Sequence, residues 1–244
     1  MLKVERINKK IGDFKLKDIS FEVKEGEYFV ILGPTGTGKT IVLETIAGIY
    51  NPDSGSIYIN NINISNVPPE HRNIGFVYQD YLLFPHLSVS ENIIFGLKAK
   101  KISRCSREKA LDEISTMLNI KHLLKRNPLT LSGGEQQRVA FARAIITSPK
   151  ILLLDEVSSA LDPNTKEVFQ RNLKSLHKKL RTTTIHITHD FNEAIYLADR
   201  IAVMKNGEIH QIGTVDEIFN YPKSEFVADF IGYNKVKMRK RSLY

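Results

Sequence analysis

Gly33-Pro34-Thr35-Gly36-Thr37-Gly38-Lys39-Thr40 carries the pattern G-x(4)-G-K-[ST]. In such a stretch, backbone N–H groups of a glycine loop cradle phosphates and the lysine reaches the β- and γ-phosphates. The flanks suit that reading. Tyr28, Phe29, Val30, Ile31 and Leu32 precede the loop as an apolar run that predicts a buried strand. Ile41, Val42, Leu43, Ile46 and Ala47 follow it at helical spacing. Strand, glycine loop and helix together aim N–H groups and a helix N-terminus at an anion. A glycine-rich turn beside a surface lysine is the plainer alternative. The four fixed positions arise by chance in roughly one chain of this size in a hundred, before the flanks are counted. The stretch is read as a nucleoside triphosphate site.

A chain of 244 residues is long enough for a substantial core, as one large domain or two small ones. Its 42% hydrophobic and 25% charged content is ordinary for a soluble protein. No apolar run approaches the roughly 18–20 residues that span a bilayer, and residues 1–6 show no secretory apolar region. The single cysteine, Cys105, excludes an intramolecular disulfide and any multi-cysteine zinc site, and fits a reducing cytosol. The net charge of +8 comes from 35 basic and 27 acidic residues. Part of it is the terminal cluster Lys235, Lys237, Arg239, Lys240 and Arg241. Such a tail could touch anionic lipid or nucleic acid; a solvated end is the plainer reading.

In chain order, residues 2–7 and 14–23 predict strands, and the helix from Lys39 ends near Gly48. The turn cluster at 51–55 leads to a strand at 56–59, and Pro68-Pro69 precedes another at 74–78. From about residue 86 the pattern turns helical, with helices expected at 90–100, 107–119 and 133–147. Beyond a strand at 151–154, a helix is expected over 163–180, a strand at 183–187 and a helix at 190–198. Strands at 200–204 and 208–212 flank the turn Asn206-Gly207, and helices follow near 215–220 and 224–231. Alternation of this kind implies an α/β domain with a mainly parallel sheet covered by helices. The expected organisation is one nucleotide-binding domain over 1–232, a helical insertion at about 86–149, and a short basic tail at 233–244.

Two further stretches carry chemistry. The apolar run Ile151, Leu152, Leu153, Leu154 ends in Asp155 and Glu156. A carboxylate at a strand's C-terminal end, beside a phosphate loop, suits Mg²⁺, and the adjacent glutamate suits an attacking water. A charged strand end facing solvent is the alternative. Residues 131–138 read L-S-G-G-E-Q-Q-R. Ser132 and Glu135 match a capping box, so an ordinary helix start is one reading. Gly133-Gly134, however, is a poor first helical turn unless the backbone must approach something closely. A helix N-terminus with a hydroxyl and bare N–H groups suits a second phosphate contact.

At this octapeptide the chain resembles the ATP-binding cassette ATPases, whose signature sequence it matches. Other landmarks follow in that family's order: Gln79 resembles the Q-loop, Ser159-Ala160-Leu161-Asp162 the D-loop, and His189 the switch histidine. The resemblance covers about residues 2–232. It implies a P-loop NTPase fold with an N-terminal antiparallel β-subdomain and an inserted helical subdomain. It also implies ATP hydrolysis with Mg²⁺. Lys39 would neutralise phosphate charge, and Thr40, Gln79 and Asp155 would serve the metal. Glu156 would be the general base, His189 would contact the γ-phosphate and attacking water, and Gln79 would report their state to the partner subunit. Residues 33–41 would hold the nucleotide, while Ser132, Gly133 and Gly134 would cap the ATP of a second copy of the chain.

Three positions depart from the family pattern. Ile11 stands where an aromatic residue would stack on adenine, with Phe14 as a substitute, so weak discrimination between bases is expected. Ile41 removes a hydroxyl contact to the α-phosphate. Val157 replaces a proline and would loosen the loop after Glu156. None of the three removes a group from the reaction centre, so an active ATPase is expected.

The resemblance also bears on partners. The span between Lys39 and Ser132 has no heptad run, there is one cysteine, and only one cassette is present. These features favour a transport ATPase over a soluble nucleic-acid-linked cassette ATPase, which would rest on the basic tail alone; no nucleic acid is expected. The apolar residues around Pro85 resemble the groove that receives a short helix of a membrane permease subunit; packing within the helical subdomain is the plainer reading. F-P-H after the Q-loop is similar to importers fed by extracytoplasmic solute-binding proteins. Among these, the chain looks most like archaeal-type molybdate/tungstate import ATPases; sulfate, polyamine or sugar import is the alternative. The implied location is the cytoplasmic face of the cell membrane. Since the sequence stops at Tyr244, before the β-rich regulatory domain of many relatives, no sensing of the imported solute by this chain is expected.

Overall fold

The computed structural model describes residues 1–159 and 161–232, so the basic tail and Ala160 of the D-loop stretch lie outside it. In chain order it begins with β1 (Leu2–Ile11), β2 (Phe14–Val23), β3 (Tyr28–Leu32), α1 (Lys39–Ala47), β4 (Ser54–Ile59) and β5 (Ile62–Asn63). Next come β6 (Ile74–Val77), α2 (Val89–Ala99), α3 (Arg104–Met117), α4 (Gly133–Ile145), β7 (Ile151–Asp155) and α5 (Pro163–Leu180). The chain continues with β8 (Thr183–Thr188), α6 (Phe191–Leu197), β9 (Arg200–Lys205), β10 (Glu208–Thr214), α7 (Val215–Asn220) and α8 (Glu225–Phe230). Two units divide these elements: Met1–Arg72 with the chain from Lys174 onward, and Asn73–Leu173.

In the first unit every residue of β3 is buried, as expected of a strand covered on both faces and hence written as one apolar run. Each large side chain buried there contributes about 1.5–3 kcal/mol. β3 lies between β8 and β9, both parallel to it, and β10 pairs antiparallel with β9. Leu32 at the end of β3 is level with Thr188 of β8 and Val203 of β9. The N-terminal sheet has the order β2-β1-β4-β5 and is antiparallel throughout. Arg72 is buried, and its Nη1 donates to Thr45 O at 3.0 Å and Ile46 O at 2.8 Å. It thereby satisfies carbonyls at the C-terminal end of α1, where intrahelical partners run out.

The first strand runs to Ile11, past the expected end at residue 7. Lys9 and Lys10 look like a polar terminus, but they pair with Leu16 and Lys15 of β2. Asp53 fixes them further, accepting from Lys10 N at 2.7 Å and Lys9 Nζ at 2.8 Å. The two-residue β5 has no counterpart among the sequence expectations, being too short to show a period.

In the second unit β6 and β7 pair in parallel, with Ile74 opposite Ile151 and Val77 opposite Leu154. The helices α2, α3 and α4 fall between them in sequence. Ser88 caps α2: Glu91 N donates to its Oγ at 3.3 Å, and the Glu91 carboxylate accepts from Ser88 N at 2.9 Å. α3 begins at Arg104 rather than 107, because Ser103 Oγ accepts from Ser106 N at 3.2 Å and closes the first turn earlier. α4 buries Val139, Phe141 and Ala142, among others. The expected α/β class holds: an antiparallel N-terminal sheet, parallel core strands and an inserted run of helices. No helix among the described residues is long and apolar enough to cross a membrane.

Candidate functional site

In the first unit, the glycine loop joins β3 to α1. Gly36 and Gly38 have φ of 80° and 89°, a left-handed backbone that glycine adopts without steric penalty. Gly33 is fixed by contact instead, since a Cβ there would sit 2.3 Å from Met204 O. Lys39 is only 4% exposed, and its Nζ donates to Gly33 O and Pro34 O, both at 2.9 Å. Thr37 Oγ1 also donates to Pro34 O, at 2.9 Å. A cation folded back into a glycine loop at the mouth of a helix fits a polyphosphate, whose oxygens are stronger acceptors than carbonyls. Thr40 is exposed in the first turn of α1, and Ile41 is half-buried beside it.

The β3–β8 register brings a second predicted residue to this loop. His189 follows Thr188 and is exposed, while Thr188 is opposite Leu32, so His189 emerges level with Gly33. Phe14 also belongs here. A Cβ on Gly38 would lie 2.4 Å from Cε1 of the Phe14 ring, so the half-buried aromatic is packed on the loop's last glycine. Ile11 is its cross-strand partner.

In the second unit, β6 and β7 end at the same level. Val77 is opposite Leu154, which brings Gln79 and the pair Asp155, Glu156 to the same end of the two strands. Asp155 is 5% exposed. Glu156 has φ of 44°, a left-handed conformation unusual for a residue with a side chain. Val157 is buried and its carbonyl accepts from Gln137 Nε2 of α4. That bond ties the loop to α4.

Ser132, Gly133 and Gly134 form the start of α4. Ser132 N and Oγ both donate to Glu135 Oε2, at 2.8 and 2.9 Å, and these bonds hold the Glu135 carboxyl below its usual range. A Cβ on Gly133 would meet no described atom within 4 Å, and one on Gly134 only Arg138 Nη1 at 3.9 Å. Neither glycine is demanded by a positive φ or by packing among the described residues.

The segment after Gln79 is rigidly built. Tyr81 and Leu82 have φ of 58° and 44°. Arg143 of α4 donates to the carbonyls of both, at 2.7 Å each, and its guanidinium lies 5.1 Å from the centre of the Phe84 ring. Asn92 is fully buried and grips Phe84 through its N (2.8 Å) and O (3.0 Å). Leu82 and Phe95 remain exposed at 54% and 46%. Arg143 and Asn92 are absent from the sequence reading. An asparagine on the buried face of α2, between Val89, Ile93 and Leu97, is the signal that points to one of them.

The ABC transporter family profile matches residues 16–159. A molybdate/tungstate import ATP-binding protein of Pyrococcus abyssi is 50% identical over 97% of this chain and 69% of its own length. One from Methanocaldococcus jannaschii is 48% identical over 96% of this chain and 77% of its own. A spermidine/putrescine import ATP-binding protein of Bacillus cereus is 44% identical, covering 97% and 72%. Among solved structures, a dimeric ATP-binding cassette in a post-hydrolysis state with ADP and Pi superposes with a TM-score of 0.78 at 34% identity, covering 88% of this chain and 99% of that one.

Proposed function

The chain belongs to the ABC transporter family, and from that membership we propose that it is the ATP-hydrolysing subunit of a binding-protein-dependent importer of molybdate or tungstate. The observation that carries the reading is the half-identity to archaeal molybdate/tungstate import ATP-binding proteins along nearly the whole chain. A second reading, polyamine import, is favoured by the spermidine/putrescine relative at 44% identity.

The proposed reaction is in-line attack of water on the γ-phosphate, which needs positioning and charge neutralisation more than covalent chemistry. Lys39, already buried in its loop, exchanges carbonyl partners for phosphate oxygens. Residues 33–41 hold the nucleotide, and Phe14 offers an aromatic face for the base. His189 contacts the γ-phosphate, and Glu156 takes the proton of the attacking water. Magnesium, when bound, neutralises developing charge on the phosphates; the Thr40 hydroxyl, the Gln79 amide oxygen and the Asp155 carboxylate are the hard oxygen donors assigned to it.

Ser132, Gly133 and Gly134 act in trans, on ATP held by a second copy of the chain. Two glycines that nothing among the described residues requires support close approach by a partner. The segment around Pro85, rigid yet with exposed Leu82 and Phe95, is the surface assigned to the permease. The assembly sits at the cytoplasmic face of the membrane, and the solute-binding protein acts on it only through the permease. Reconstitution with the permease in vesicles tests the cargo. Stimulation of ATP hydrolysis by a molybdate- or tungstate-loaded binding protein is the expected result. Stimulation by a spermidine-loaded one alone would transfer the assignment to polyamines.

A further inference from the structure

The switch loop of the first unit is held by a buried acid that the reaction itself does not use. Thr188 Oγ1 donates to Glu193 Oε2 at 2.6 Å and accepts from Asp190 N at 3.0 Å. Asp190 Oδ1 accepts from Asn192 N at 2.7 Å and from Glu193 N at 3.1 Å, which fixes the start of α6. The residues on both sides of His189 are thus pinned to one another, and the Glu193 carboxylate closes the ring. Glu193 is fully buried, and its Oε1 has no hydrogen-bond partner among the described residues. Below it, His186 Nε2 lies 3.9 Å from Oε2, and Tyr28 Oη is 2.9 Å from His186 Nδ1. The acid therefore stands on side chains from β8 and β3, the two strands whose ends carry His189 and the glycine loop.

Packing alone does not call for a carboxylate here. Ala194 and Leu197 bury the same helix without polar atoms, and an apolar residue at 193 would avoid the desolvation of a buried acid. We propose that Glu193 is a positioning residue for ATP hydrolysis, holding the backbone on either side of His189 so that the imidazole meets the γ-phosphate. This rests on the role assigned to His189 above. It acts through another residue and leaves nucleotide binding, which belongs to the glycine loop, unaffected.

The test is a mutant cycle on the purified full chain. Glu193→Ala is expected to lower kcat at least about tenfold with the KM for ATP changed less than about twofold, the pattern of a lost transition-state contact. Thr188→Val removes the same bond with little change of volume and is expected to do likewise, which guards against a Glu193→Ala chain that fails to fold. Glu193→Gln keeps an acceptor and is expected to restore at least about half the rate. In a His189→Ala background, Glu193→Ala should add less than about a twofold loss. Equal losses in both backgrounds, or an unchanged kcat in Glu193→Ala and Thr188→Val, would overturn the proposal. The ring Cε1–H NMR signal of His189 gives a reading independent of turnover: it should shift and average in Glu193→Ala but not in Glu193→Gln. If His189→Ala is fully active, the catalytic assignment of His189 fails, while this signal still decides whether Glu193 positions it; an unmoved signal overturns the positioning.

Discussion

The ring of Phe14 lies so close over Gly38 that a methyl group on that glycine would come within 2.4 Å of Phe14 Cε1. The contact joins the β1–β2 hairpin to the loop that carries Lys39. Replacing Phe14 with alanine should raise the KM for ATP about three- to tenfold, the range expected when one aromatic contact is lost. Phe14→Tyr should restore it. Gly38→Ala combines a side chain at φ 89° with the ring clash, and should abolish binding of a fluorescent ATP analogue.

Glu156→Gln should abolish turnover while preserving ATP binding. Gel filtration with ATP should then show a stable dimer, because removal of the proposed base leaves the γ-phosphate contacts intact. Hydrolysis near the native rate in this variant would remove Glu156 from the role of base.

Arg143 should matter to stability and to coupling. Its two 2.7 Å bonds to Tyr81 O and Leu82 O are charge-assisted and hold two residues in left-handed backbone. Arg143→Ala should lower the unfolding free energy in urea by about 2–4 kcal/mol. In vesicles carrying the permease, the same variant should lose most of the stimulation produced by loaded binding protein.

His177 sets an acid limit. Burial against Tyr28 holds its pKa below the ordinary 6.5, with Asp199 pulling weakly the other way. The unfolded chain therefore gains this proton at higher pH than the folded one does. The resulting stability is present above pH 6.5 and is lost as pH falls through the folded value. Thermal unfolding of His177→Gln should show a flatter acid limb than the native chain below that point.

What the sequence made legible is what lies along one segment. The glycine loop, the acids after β7 and the serine-glycine start of α4 each lie beside their own strand or helix. Boundaries slipped where a polar residue is held from elsewhere, as Lys9 and Lys10 are by Asp53. The contacts that pair distant residues left no linear trace. Phe14 on Gly38, Arg143 under Tyr81 and Glu193 behind His189 appear only once the chain is folded.

The backbone of Glu156 has a consequence apart from the role proposed for its side chain. A residue with a side chain held at φ 44° forgoes about 1 kcal/mol relative to glycine at the same place. Where that backbone cost exceeds what the side chain's own interactions return, a laboratory selection for heat resistance alone would reward Glu156→Gly, and on the role proposed for Glu156 hydrolysis would be lost with it. Persistence of glutamate there under such selection would require that growth depend on the transported solute.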